Sequence, residues 1–80
     1  MPNSMDDSAA EIAKYEALAD RAFADMHESR SPRGCYADLK DYLVDAIAAA
    51  ERAGLPAEVE RLQDKLMRCI RIYRSQFGSF

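Results

Sequence analysis

The segment AERAGLPAEVERL, residues 50–62, decides the fold. Gly54 follows a run of helix-forming residues and can take the left-handed conformation that commonly ends a helix. Pro56 suits the first turn of a following helix, because its fixed φ is helical and its missing N–H is not needed there. A connection this short joins two helices into an antiparallel hairpin. The sequence therefore predicts helices over about 34–53 and 56–77.

Both helices of this hairpin are amphipathic, because apolar residues recur along them at spacings of three and four. On the first helix the predicted buried side is Tyr36, Leu39, Leu43, Ala46, Ile47, Ala50 and Ala53. On the second helix the predicted buried side is Val59, Leu62, Leu66, Cys69, Ile70, Tyr73 and Phe77. We expect these two sets to face each other in the core.

A further helix precedes the hairpin. Ser8 and Glu11 have the spacing of a capping box, in which each side chain binds a free backbone N–H at a helix start. Apolar residues then continue at helical spacing to Met26. The sequence predicts a helix over about 8–28 that packs across the hairpin through a longer loop, with residues 1–7 as a flexible leader.

The predicted fold class is all-α, a three-helix bundle that forms a single domain over residues 1–80. No segment alternates polar and apolar residues over the length of a strand, and the chain has only three Gly and three Pro. A chain of 80 residues buries only about 60% of the surface that its unfolded form exposes. A monomer would be marginally stable, so the wide apolar arcs of the helices favour a homodimer over a monomeric bundle.

The composition also bears on location and cofactors. No apolar run approaches the roughly 18 residues that cross a bilayer, and the polar, acidic N-terminal segment does not resemble a signal peptide. We therefore expect a cytoplasmic protein with no membrane association and with reduced cysteines. One His and two separated Cys lack the spacing of a zinc site, so the sequence predicts no metal and no cofactor.

Positive charge is concentrated on the last helix. The chain has 11 Lys and Arg residues and a net charge of −3, yet five of its basic side chains lie within residues 61–77. They are Arg61, Lys65, Arg68, Arg71 and Arg74. At about 100° per residue the first three share one face and the other two lie at its edge. Ile72 lies within this face, and an aliphatic side chain among arginines is typical of the centre of a protein interface.

Three interpretations of the basic face are open. The simplest is a solvated surface, partly neutralised by carboxylates of the preceding helix, with Asp45 near Lys65. The second is a surface that binds another protein, for which the candidate residues are Arg61, Lys65, Arg68, Arg71, Ile72 and Arg74. The third is a nucleic-acid surface, which the sequence pI of about 5.0 and the acidic first helix disfavour.

Few residues are candidates for chemistry. Cys35 follows Arg33 at the predicted start of the second helix, where a cation and the helix dipole would stabilise a thiolate. It is the candidate reactive thiol, with a half-buried structural cysteine as the alternative. No motif places a nucleophile near His27, the only histidine.

The sequence therefore predicts a protein without catalytic activity. We expect it to act by binding another protein, itself or both, as an accessory, adaptor or regulatory factor. The alternative is nucleic-acid binding through the basic face of the last helix.

Overall fold

A computed structural model of the protein describes residues 4–28, 30 and 32–77. These residues form three helices and, within the described ranges, no strand. The helices are α1 Ser4–Glu28, α2 Pro32–Arg52 and α3 Pro56–Phe77. Helix α1 packs against α2, and α2 packs against α3. The prediction of an all-α three-helix bundle is confirmed.

The bounds of α3 match the prediction, whereas α1 and α2 begin earlier than expected. Helix α1 begins at Ser4, so Ser8 lies a full turn inside it and does not mark its start. Asp7 lies in the first turn of α1, where negative charge interacts favourably with the helix dipole. This helps to explain why the helix begins before Ser8. Helix α2 begins at Pro32, two residues before the predicted start, because a proline is favourable in the first turn of a helix. Residues 1–3 of the predicted leader lie outside the described residues.

The turn between α2 and α3 is a Schellman motif centred on Gly54. The Leu55 N–H donates to the Ala50 carbonyl over 3.0 Å, and the Gly54 N–H donates to the Glu51 carbonyl over 3.1 Å. Gly54 has a φ of +69°, which costs a glycine little because it has no Cβ. The Leu55 carbonyl then accepts from the Val59 N–H over 3.0 Å as α3 begins. This local geometry reverses the chain and produces the predicted antiparallel hairpin.

The core lies along α2, which contacts both other helices. The large, fully buried side chains are Met26, Leu39, Leu43 and Leu62. Five alanines are also buried in the core: Ala19 and Ala22 on α1, and Ala46, Ala49 and Ala50 on α2. On α3 only Leu62 and Cys69 are buried, so α3 covers less of its surface than the other two helices. The Cα atoms span 50 × 20 × 12 Å, an elongated and rather flat arrangement.

Aromatic rings close the end of the bundle where α1 ends, α2 begins and α3 ends. The rings of Tyr36 and Tyr73 stack with centroids 3.8 Å apart and planes at 1°. Phe77 lies 5.3 Å from Tyr73 and 6.1 Å from His27, whose ring lies 4.9 Å from Phe23. The Tyr36–Tyr73 stack fixes the register of the hairpin, because it joins the first turns of α2 to the last turns of α3.

Candidate functional site

The basic residues of α3 lie on two different sides of the helix. At about 100° per residue, Arg61, Lys65 and Arg68 share an arc of about 60° with Ile72 between them. This is the side next to α1, because Arg61 and Lys65 both form ion pairs with α1. Arg71 and Arg74 lie farther round the helix, where they are exposed. The single basic face expected from the sequence is therefore two surfaces.

Glu16 of α1 is the centre of an ion-pair network that joins α1 to α3. Its two carboxylate oxygens accept from both Nη atoms of Arg61, over 2.9 and 2.8 Å. Glu16 also accepts from Lys65 Nζ over 2.7 Å, and Lys65 reaches Asp20 Oδ1 at 2.8 Å. Glu58 accepts from Arg61 Nε within α3. We call these five side chains the α1–α3 network.

The pKa values of Glu16, Arg61 and Lys65 are shifted in the directions that keep these side chains charged. Hydrogen bonds from Arg61 lower the pKa of Glu16 to about 2, since together with those from Lys65 they outweigh partial burial. Hydrogen bonds to Glu16 and Glu58 raise the pKa of Arg61. Partial burial lowers the pKa of Lys65, but hydrogen bonds to Asp20 and Glu16 outweigh it, and the pKa is raised. The network therefore persists over the whole neutral range.

Lys65 pairs with Glu16 and Asp20 of α1, and among the described residues it forms no ion pair with Asp45, which the sequence placed near it. Lys65 lies on the side of α3 that faces α1, whereas Asp45 is exposed on α2. Two of the six candidate partner-binding residues, Arg61 and Lys65, are thus engaged within the chain.

Arg68 and Ile72 lie at a groove between α1 and α3, just beyond the network. The groove has a volume of about 280 Å³. Its lining residues are Asp20, Phe23, Lys65, Arg68, Cys69 and Ile72. Ile72 is 37% exposed, and among the described residues no carboxylate lies within 4 Å of the exposed Arg68. We call this feature the α1–α3 groove.

The two cysteines differ in their surroundings, and both are free thiols. Cys69 is buried in the wall of the α1–α3 groove, and this burial raises its pKa, so the thiol stays protonated at neutral pH. Cys35 is half-buried in the first turn of α2. It borders a separate cleft of about 260 Å³ between α1 and α2, together with Asp25 and Asp38. The reactivity of Cys35 stays a prediction.

The only histidine is packed between aromatic rings near the end of α1. His27 Nδ1 donates to the Phe23 carbonyl oxygen over 2.9 Å, and the ring contacts Phe23 and Phe77 at their edges. Over residues 7–28, 30 and 33–77, no group of three or more His, Cys, Asp and Glu side chains is arranged to hold a metal ion. His27 is thus part of the aromatic end of the bundle.

Sequence reasoning missed two residues of the groove, Asp20 and Phe23 of α1. Phe23 had the helical spacing of a residue flanking the core, and Asp20 that of an exposed acid. Neither signal points to α3, because the relation between the two helices depends on how each is rotated about its axis.

Comparison with known proteins finds no match among family models, curated proteins or solved structures. Over the residues that the structure describes, none of the three helices has both the length and the apolar character that crossing a bilayer requires.

Proposed function

We propose that the protein acts by binding another protein, and that the α1–α3 groove is the surface that contacts it. The observation that carries the proposal is the exposure of Ile72 in a groove lined by Phe23 and Cys69, with Arg68 at its rim. Interface centres are enriched in apolar and aromatic side chains and in arginine. Arg68 forms no ion pair with the described residues, and an arginine can bind a carboxylate through two N–H groups.

These side chains specify the chemistry of the partner. The groove accepts one aliphatic or aromatic side chain against Ile72 and Phe23, and Arg68 binds a carboxylate close to it. An acidic segment with one large apolar residue meets both requirements. The protein would then be an accessory, adaptor or regulatory factor without catalysis of its own. A cytoplasmic location is part of this proposal and rests on the sequence.

Nucleic-acid binding is the weaker alternative. A phosphate backbone is bound by several free cations, and here the carboxylates of Glu16 and Asp20 neutralise Arg61 and Lys65. This leaves three arginines of α3 for phosphate contacts. If the alternative holds, a gel shift should be strong in about 50 mM salt and should weaken at least tenfold by about 200 mM.

The test compares capture of partners by three forms of the tagged chain. Wild type, the double variant Arg68→Glu with Ile72→Asp, and the control Val44→Asp are each used on lysate of the native cell. Val44 is a suitable control, because it is 53% exposed but lies on α2, away from the groove. Circular dichroism confirms that each form is helical before capture.

We expect wild type and the Val44 variant to capture the same partner and the double variant to lose it. Calorimetry with the purified partner should then show at least about a tenfold weaker affinity for the double variant, or about 1.4 kcal/mol. If the double variant retains every captured protein with unchanged affinity, the groove is not the binding surface.

A further inference from the structure

The outer surface of α3 has a charge pattern that is complementary to itself. Five residues form this surface: Glu60, Asp64, Met67, Arg71 and Arg74. Successive members are four, three, four and three residues apart, so at about 100° per residue all five lie within an arc of about 80°. Two acids occupy the first half, two arginines the second half, and Met67 lies between them. All five are exposed, Met67 to 56%. We call this row of residues the outer stripe.

Over the described part of the chain, the charges of the outer stripe are not neutralised by ion pairs, since none of its four charged side chains lies in one. Like charges are also neighbours: Glu60 is four residues from Asp64, and Arg71 is three from Arg74, spacings at which like charges repel on a helix. Each of these two like-charge pairs is mildly unfavourable on its own.

The helix dipole accounts for only part of this pattern. It favours acids in the first turn and bases in the last turn, and its effect falls off within that turn. Asp64 lies eight residues after the start of α3 at Pro56, and Arg71 lies six residues before its end at Phe77. Both are more than one turn from the nearest helix end. The separation of charge at these two positions needs another explanation.

We propose that the outer stripe binds the outer stripe of a second copy of this chain, with the two α3 helices antiparallel about a two-fold axis near Met67. Glu60 and Arg74 each lie seven residues, or about 10 Å, from Met67 along the helix. In this arrangement Glu60 lies level with the partner's Arg74. Asp64 and the partner's Arg71 differ in height by only about 1.5 Å, which a long arginine side chain spans easily.

The pattern selects this arrangement over the other ways to pair two α3 helices. Parallel helices in register would place each acid beside an acid and each arginine beside an arginine. The antiparallel arrangement opposes unlike charges throughout and closes as a symmetric dimer. Spacings of four and three are also those of a coiled-coil seam, in which the residues of one stripe keep facing the partner helix.

The contact has few apolar atoms, since Met67 is the only large apolar residue in the outer stripe. We therefore expect a weak dimer held mainly by charge, which high salt dissociates. Ile72 lies about 80° round the helix from Asp64, the member of the outer stripe nearest to it in angle, so both α1–α3 grooves stay open in the dimer. The dimer does not depend on the proposed function, and each can fail without the other.

The test is a charge exchange measured by sedimentation equilibrium. In the first variant, Arg71→Glu and Arg74→Glu make the stripe acidic throughout. In the second, Glu60→Lys and Asp64→Lys make it basic throughout. Wild type should dimerise at low salt and dissociate at high salt. Each variant alone should have a dimer Kd raised at least about tenfold, because its stripe now repels itself.

An equimolar mixture of the two variants should form a heterodimer at least as tight as the wild-type dimer, because an acidic stripe then faces a basic one. Met67→Asp should also weaken the wild-type dimer, since it places two carboxylates beside the two-fold axis. Val44→Asp is the matched control: Val44 and Met67 are exposed to 53% and 56%, but only Met67 lies in the stripe. Ile72→Asp changes the groove and should leave the dimer intact.

Three results would each overturn the proposal. The first is a wild type that stays monomeric at low salt at the highest concentration measured. The second is an equimolar mixture of the two charge variants that forms no heterodimer. The third is a dimer Kd that is the same in wild type and in each charge variant alone. Circular dichroism establishes that each variant is folded, and heterodimer formation by the mixture is a positive result that misfolded chains would not give.

Discussion

Replacement of Glu16 by Gln tests the α1–α3 network, because among the described residues Glu16 is the carboxylate that both Arg61 and Lys65 contact. Gln keeps the size of the side chain and removes its charge. Arg61 retains Glu58 as a partner, and Lys65 retains Asp20. The substitution therefore weakens the link between α1 and α3 without leaving a buried cation unpaired, and we expect the variant to fold.

The pKa of Glu16 sets the scale of the effect. It falls from an ordinary value of 4.5 to about 2 in the folded protein, and each pKa unit corresponds to about 1.36 kcal/mol, so the upper bound is about 3.4 kcal/mol. The side chain of Arg61 is 46% exposed, and water screens pairs of this kind to about 0–1 kcal/mol each. Because the side chains of Glu16 and Lys65 are only 18% and 23% exposed, both pairs should lie in the upper half of this range. For the two pairs together we expect a loss of about 1–2 kcal/mol, or a fall in Tm of about 4–16 °C.

The pH dependence has a definite sign. Because the pKa of Glu16 is lower in the folded than in the unfolded protein, its contribution is complete above about pH 4.5 and is lost as the pH falls toward about 2. Urea unfolding followed by circular dichroism should show wild type more stable than the Gln variant at pH 7. The difference should shrink between about pH 4.5 and pH 2.

Glu51→Gln serves as the control, because Glu51 is exposed on α2 and no ion pair involves it among the described residues. Its free energy of unfolding should change by less than about 0.5 kcal/mol. If Glu16→Gln has no larger effect than the control at pH 7, or if its effect is undiminished at pH 2, the network does not stabilise the fold.

Three further tests use urea unfolding to probe the core, the aromatic stack and the turn between α2 and α3. Leu43→Ala should lower the free energy of unfolding by about 2–5 kcal/mol because Leu43 is fully buried. Val44→Ala, at an exposed position, should change it by less than about 0.5 kcal/mol. If the two substitutions change the free energy of unfolding equally, the assigned burial is contradicted. A double-mutant cycle of Tyr36→Leu and Tyr73→Leu should give a coupling free energy of about 0.5–1.5 kcal/mol between the two stacked rings. A coupling free energy of zero would contradict the stacking of these rings. Gly54→Ala should cost about 1–2 kcal/mol from its positive φ alone, since no atom lies within 4 Å of the added Cβ. Gly54→Asn should cost less, and equal costs would argue against backbone strain.

The hairpin of α2 and α3 could be predicted from sequence because its signals are local. Gly54 and Pro56 act on the chain within a few residues, and the structure has the turn where they place it. The start of α1 could not be predicted as well. The spacing of Ser8 and Glu11 is compatible with a helix start, but it competes with the favourable placement of acids near a helix N-terminus, and the helix begins at Ser4.

Packing between helices was harder to predict, because it depends on the rotation of each helix about its axis. Ala49 is buried but lies off the apolar stripe expected for α2, since α2 contacts two helices and buries a wider arc. The sequence placed Lys65 near a carboxylate of α2, the helix that precedes α3 in the chain. In the structure Lys65 forms ion pairs with Glu16 and Asp20 of α1. Patterns within one helix show which side is apolar but not which helix covers it.

The buried alanines of α1 and α2 have a consequence for the range of sequences that can adopt this fold. An alanine loses no side-chain rotamers when it is buried, whereas leucine or isoleucine loses about 0.5–1 kcal/mol of rotamer entropy. The core of the described residues, with its five buried alanines on these two helices, is thus ordered at low entropic cost. A larger side chain at Ala46 or Ala50 would push the helix axes apart, so these positions have almost no freedom to vary. We expect neutral drift to be slowest where the side chains are smallest.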